Sequence, residues 1–131
     1  MSFNDLTVQE FTTPTPITIY PEDSLDKGLE VMQEYGIRHL PVIEEGEVVG
    51  VVSERDILSN SGKNWSKMMK IRDVMNPSIL SAHENDSLGE VAFELSSQKK
   101  GSAIILDKNG ELAGIFTTTD ALNALVEIFL N

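Results

Sequence analysis

The sequence predicts a mixed α/β (α+β) fold in which one β-α-β-β-α unit is used twice, and three observations lead there. A glycine-led apolar strand running into a hydroxyl residue and then an aspartate stands twice, as Gly50-Val51-Val52-Ser53-Glu54-Arg55-Asp56 and as Gly114-Ile115-Phe116-Thr117-Thr118-Thr119-Asp120. Asp23-Ser24-Leu25 returns 63 residues later as Asp86-Ser87-Leu88, and at that offset Leu40-Pro41-Val42-Ile43 falls on Ala103-Ile104-Ile105-Leu106. After one extra residue in the second turn, Gly46 meets Gly110 and Ser53 meets Thr117. Such a register in 131 residues means that one supersecondary unit is duplicated, with the apolar faces of the copies buried on each other.

Within a copy each element has a local cause. Ile17-Thr18-Ile19 alternates as a strand does. Asp23 or Ser24 caps the next helix, where Leu25, Leu29 and Met32 recur at helical spacing. In copy two Ser87 and Glu90 form a capping-box signature ahead of the stripe Leu88, Val91, Ala92 and Leu95. Leu40 to Ile43 is a short strand, turned by Glu44-Glu45-Gly46 into Val48 to Val52; Asp107-Lys108-Asn109-Gly110 does the same before Leu112 to Phe116. Closing helices start near Ser53 and Thr117, and the second carries Ala121, Leu122, Leu125, Val126 and Phe129, apolar enough to pack on the other copy or on another chain. Copy one takes residues 8–60, a polar linker residues 61–70 and copy two residues 71–129, with Pro77 stopping the lead-in from Arg72.

Composition narrows the function. A net charge of −11 argues against non-specific binding to nucleic acid or to an anionic membrane, since both need a basic surface. With no cysteine, disulfides and thiolate chemistry are excluded, and His39 and His83 stand too far apart for a short metal-ligand motif. Met1-Ser2-Phe3-Asn4-Asp5 lacks the basic start and apolar run of a signal peptide, and no stretch is long enough to span a bilayer, so a cytoplasmic location is expected. No nucleophile stands with a base and an orienting partner, and neither metal-hydrolase nor phosphate-loop motifs occur. The expectation is a non-enzyme with no catalytic residue, no bound metal and no obligatory cofactor.

Gly36-Ile37-Arg38-His39-Leu40-Pro41-Val42-Ile43 with Gly50 to Asp56, and Lys100-Gly101-Ser102-Ala103-Ile104-Ile105-Leu106 with Gly114 to Asp120, resemble two CBS domains, the module named after cystathionine β-synthase. The resemblance spans nearly the whole chain. It implies that the two copies pair about a pseudo-twofold axis as a Bateman module, with an adenosine-bearing ligand (AMP, ADP, ATP or S-adenosylmethionine) in the clefts between them. Carried over by residue, it implies a stronger cleft in which Asp120 accepts from the ribose hydroxyls and Thr117 and Thr119 donate to phosphate. Pro16 and Ile17 would stand by the base there and Arg38 and His39 by the phosphate, with Pro41 in the same cleft. It implies a weaker cleft with Asp56 on the ribose, Ser53 and Arg55 near phosphate, Ile79 and Leu80 flanking the base, and Lys100 and Ser102 beside them. Gly101 and Ser102 replace the Arg38-His39 pair in copy two, and Glu54 adds a negative charge; both disfavour a polyphosphate in the second cleft.

Read without the resemblance, Ser53…Asp56 and Thr117…Asp120 are helix caps, each a hydroxyl with an acid three residues on. Arg38 and His39 read equally well as exposed or acid-paired side chains, and Lys99-Lys100 as a solvated pair. The sequence therefore supports a stand-alone regulatory or energy-sensing module, homodimeric as the family commonly is, acting on an unidentified effector protein. Its alternative is a ligand-independent dimerisation module with degenerate clefts. A divalent cation or small anion held by the same groups is a third reading.

Overall fold

The computed structural model describes residues 5–14, 17–62 and 66–130. The chain divides into two compact units, one of residues 17–79 and one of residues 1–16 with 80–131. The division cuts across the sequence repeat: residues 8–16 lie with copy two, and residues 71–79 with copy one.

The unit of residues 17–79 opens on an extended segment in which only Ile19 pairs, making a parallel bridge to Val42. Ile17 and Thr18, expected in a strand, stay outside the ladder; its bonds run from Ile19 N to Pro41 O and from Ile43 N to Ile19 O. Helix α1 (Leu25–Tyr35) follows, its start held by Ser24, whose side chain accepts from Lys27 N. Strands β2 (His39–Glu44) and β3 (Glu47–Ser53) form an antiparallel hairpin with an irregularity at Val42/Ile43. Helix α2 (Glu54–Leu58) closes the repeat in five residues. A 3-10 turn (Ser66–Met68) and helix α3 (Ile71–Val74) lead back to Asn76, which bridges antiparallel to Val51. Ile19, Leu25, Val31, Met32, Leu40, Val42, Val52, Ile57 and Ile71 form its core. Outside it, Arg72 bonds Glu22 and Glu44, each at 2.8 Å, and these carboxylates hold the guanidinium above its ordinary range.

The other unit repeats this plan with more regular strands. A 3-10 turn (Val8–Phe11) precedes β1 (Thr13–Pro14). Beyond residue 79 come β4 (Ser81–His83), helix α4 (Leu88–Gln98), β5 (Ser102–Leu106), β6 (Leu112–Thr117) and helix α5 (Thr118–Leu130). The sheet order is β1-β6-β5-β4, with β4 parallel to β5 and the other pairs antiparallel. Pro14 sits in the two-residue edge strand, where a missing N–H is tolerated. Leu6, Val8, Leu88, Val91, Leu95, Ile105 and Phe116 lead its core. The Ser87–Glu90 capping box is half made: Ser87 Oγ accepts from Glu90 N at 3.3 Å, but α4 has no reciprocal bond from Glu90. The passing segment fixes this helix start instead, through Leu88 N to Leu6 O and Val8 N to Asp86 O.

The two recurring strand glycines have a steric reason. A Cβ on Gly114 would stand 2.5 Å from the Thr13 carbonyl oxygen, and one on Gly50 would stand 3.0 Å from that of Asn76. Each strand is thus crossed at its glycine by the segment leading into the other copy. Pro14 and Pro77, again 63 residues apart, follow directly. A second pair is less evenly matched. Gly36 ends α1 in the left-handed region at φ 65°, and its counterpart Lys99 ends α4 there at φ 55°, where a side chain is strained.

Gly114→Ala is expected to cost about 1–3 kcal/mol through forced displacement of backbone, read as a lower urea midpoint; a wild-type midpoint would show the crossing to be loose. Lys99→Gly is expected to raise the midpoint by about 0.5–1 kcal/mol, relief of the left-handed strain outweighing glycine's greater unfolded-state freedom.

Candidate functional site

The two Gly-led strands each end in a hydroxyl residue that caps the following helix. At Ser53 the Oγ accepts from Asp56 N at 3.1 Å, and Ser53 N donates to Asp56 Oδ2 at 2.9 Å. At Thr117 the N donates to Asp120 Oδ2 at 2.9 Å, and Asp120 N donates back to Thr117 Oγ1 at 3.3 Å. All four residues are half-buried. The capping reading of these motifs is therefore satisfied in both units, and it fixes each carboxylate against its own backbone.

The hairpins bring further expected residues to these helix starts. His39 lies opposite Ser53 in the β2–β3 register, and Arg38 O accepts from Glu54 N at 2.8 Å. Ser102 lies opposite Thr117 in the β5–β6 register, and Gly101 O accepts from Thr118 N at 3.1 Å. Arg38 and Arg55 are exposed; Arg55 is next to Asp56 in sequence, and Arg38 meets the same helix start through its backbone carbonyl. Around Asp120 stand Thr118 and Thr119, both exposed, while Lys100 is half-buried and Ser102 buried.

Ile17, Arg38, His39, Pro41, Ser53, Arg55, Asp56 and Ile79 thus belong to the unit of residues 17–79; Leu80, Lys100, Ser102, Thr117, Thr119 and Asp120 belong to the other. Each of the two expected clefts draws on residues from both units. Pro16 lies outside the described residues. The Thr117 hydroxyl, expected at the phosphate, stands 3.1 Å from Asp120 Oδ2, to which it donates. Thr119 is exposed. Ser53 Oγ is the acceptor in its cap bond from Asp56 N.

Two hollows lie within single units. One of about 400 Å³ is lined by Leu80, Ala82, Asp86, Glu90, Val91 and Glu94 among others, and one of about 350 Å³ by Ser24, Leu25, Ser61, Lys67 and Met69. Neither takes in the caps; of the expected site residues only Leu80 lines one. Among the described residues no group of three or more acids or histidines is arranged to hold a metal, and no helix is long and apolar enough to cross a membrane. The repeat register could have disclosed one set of residues that motif reading passed over. Thr7 and Lys70 donate their backbone N–H groups to Glu10 and Asp73, and Tyr20 and His83 donate theirs to Asp23 and Asp86, each pair of acids 63 residues apart.

Known proteins share this plan. The solved structure of CBSX2, a CBS-pair protein from Arabidopsis thaliana, in complex with AMP is 32% identical, with a TM-score of 0.77 over 93% of this chain and 97% of that one. The CBS domain of a bacterial CNNM/CorC family Mg2+ transporter in complex with ATP is 26% identical, with a TM-score of 0.84 over 95% of this chain and 89% of that one. Among curated proteins, inosine-5'-monophosphate dehydrogenase of Methanocaldococcus jannaschii is 33% identical over 81% of this chain and 21% of its own length. L-aspartate semialdehyde sulfurtransferase of the same organism is 25% identical over 86% of this chain and 22% of its own length. The chain therefore spans about a fifth of those two relatives. The CBS domain model matches residues 8–63 and again 71–127, and with the duplicated fold this establishes that the chain belongs to the CBS domain family as a tandem pair.

Proposed function

We propose that this CBS pair is a regulatory module that binds an adenosine-bearing ligand (AMP, ADP, ATP or S-adenosylmethionine) in clefts between its two copies. The observation that carries the reading is the twofold occurrence of a helix start with a hydroxyl cap and a bonded carboxylate, in a chain whose relatives include pairs solved with AMP and with ATP. An ionised carboxylate accepts only and offers about four lone-pair positions, so a cap bond and a cis-diol can share it. The free N–H groups of a helix start attract phosphate.

Asp120 takes the ribose in the stronger cleft. Thr117 and Thr119 serve the phosphate with Arg38 and His39 of the first copy, Pro16 and Ile17 border the base, and Pro41 adjoins them. Asp56 takes the ribose in the weaker cleft, with Ser53 and Arg55 at the phosphate, Ile79 and Leu80 at the base, and Lys100 and Ser102 adjoining. No step of catalysis is assigned to any of them. The ligand acts by favouring one arrangement of the copies, and can do so only through its differential affinity for the alternatives. A homodimer in the cytoplasm acting on an effector protein completes the proposal.

One observation favours the second reading, a ligand-independent dimerisation module. Helix α5 exposes Leu122, Val126 and Phe129 at 60%, 55% and 74% of their surface, a stripe without cover in its own unit. That reading expects a dimer by light scattering that no nucleotide shifts.

Titration calorimetry with the four ligands decides between them: binding tighter than about millimolar, roughly −4 kcal/mol, is expected for at least one, and none at that level refutes the sensor. Asp120→Asn separates cap from ligand contact. The amide oxygen still accepts from Thr117 N–H, so the melting temperature stays near wild type, while loss of the charged acceptor weakens ligand binding about tenfold. Unaltered affinity would remove Asp120 from the ribose.

A further inference from the structure

The duplication separates what the fold requires from what copy two has added. At the 63-residue offset Ile19 becomes Ala82, Lys27 becomes Glu90, Glu30 becomes Phe93 and Val31 becomes Glu94. Ile19 and Val31 are core residues of their unit. In the other unit the smaller Ala82 and the apolar Leu80 and Val91 line the hollow of about 400 Å³ between β4 and α4, with Asp86, Glu90 and Glu94 as its carboxylates. Phe93, also in its lining, leaves 67% of its surface in solvent and takes no part in the core. Asp86 Oδ2 accepts from His83 N at 2.9 Å, and Glu94 Oε2 accepts from the Gln98 amide at 2.7 Å. The Glu90 carboxylate accepts no hydrogen bond among the described residues, and no cationic side chain lines the hollow.

We propose that this hollow docks an arginine-bearing segment of a partner polypeptide. Its apolar floor takes the aliphatic stem, Phe93 stacks on the guanidinium, and Glu90 and Glu94 pair with its N–H groups. Three properties select this occupant together. The carboxylates repel phosphate-bearing ligands, and among the described residues they form no group able to hold a metal ion. An apolar guest would leave them desolvated without partners. A guanidinium alone matches both an aromatic face and a carboxylate fork. The chain's charge of −11 speeds the approach of such a partner without choosing the spot. The hollow excludes both caps and shares only Leu80 with the residues proposed for the nucleotide clefts.

The test uses a hexa-arginine peptide as probe, with chemical-shift mapping and affinity measured at fixed ionic strength on the full chain. Shifts are expected to concentrate at Leu80, Ala82, Glu90 and Phe93. Phe93→Ala should weaken binding about threefold or more, and Glu90→Gln with Glu94→Gln about tenfold, whereas Glu45→Gln with Glu47→Gln on the β2–β3 turn should change nothing. Each variant's circular dichroism reports its folding, and Phe93→Leu, which keeps the apolar bulk, gives the ring's contribution if the alanine variant unfolds. Equal loss at both acidic pairs, shifts spread over the surface, or hexa-lysine bound by the wild type as tightly as hexa-arginine would overturn the proposal.

Discussion

A hydrogen-bonded pair at the end of a strand, a hydroxyl cap and the acid three residues on, is the constraint on which the rest of this structure depends. It stops β3 and β6, starts α2 and α5, and fixes a carboxylate on each half-buried helix start. The bond costs the molecule nothing extra in function, because a carboxylate tied at one oxygen is already oriented before a ligand arrives. Pre-orientation of this kind lowers the ordering cost of binding. Capping and ligand contact are therefore compatible roles for the same aspartates.

The duplication is kept where geometry demands it and relaxed elsewhere. Gly50 and Gly114 persist because a backbone crosses each strand within contact distance. By contrast α2 has five residues and α5 has thirteen, and Gly36 corresponds to a strained Lys99. The chemistry beside the two caps has also diverged, with Arg38 and His39 beside one and Gly101 and Ser102 beside the other. One scaffold thus offers two chemically different helix starts.

Much of the fold was legible because local signals and the repeat register agreed. The β2–β3 and β5–β6 hairpins lie within a residue or two of the expected strands, and the closing helices begin at the expected hydroxyls. What escaped the sequence depends on distant partners. Ile17-Thr18 has the alternation of a strand, but only Ile19 finds a bonded neighbour. Nothing local in Thr13-Pro14 says that it pairs with Ile115 and Gly114, a hundred residues on. Spacing alone does not say which way the Thr117 hydroxyl donates, and its bond to Asp120 Oδ2 shows only in the folded chain. Ser53, Asp56, Thr117 and Asp120 were legible as helix caps; the proposal that a ligand uses them rests on kinship with CBS pairs.

The most direct measurement is a crystal structure of the chain grown with AMP. The account predicts ribose hydroxyls within hydrogen-bonding distance of the Asp120 carboxylate, with the Thr117 N–H bond to Asp120 Oδ2 still in place. A nucleotide seated on residues remote from both Asp56 and Asp120 would contradict it.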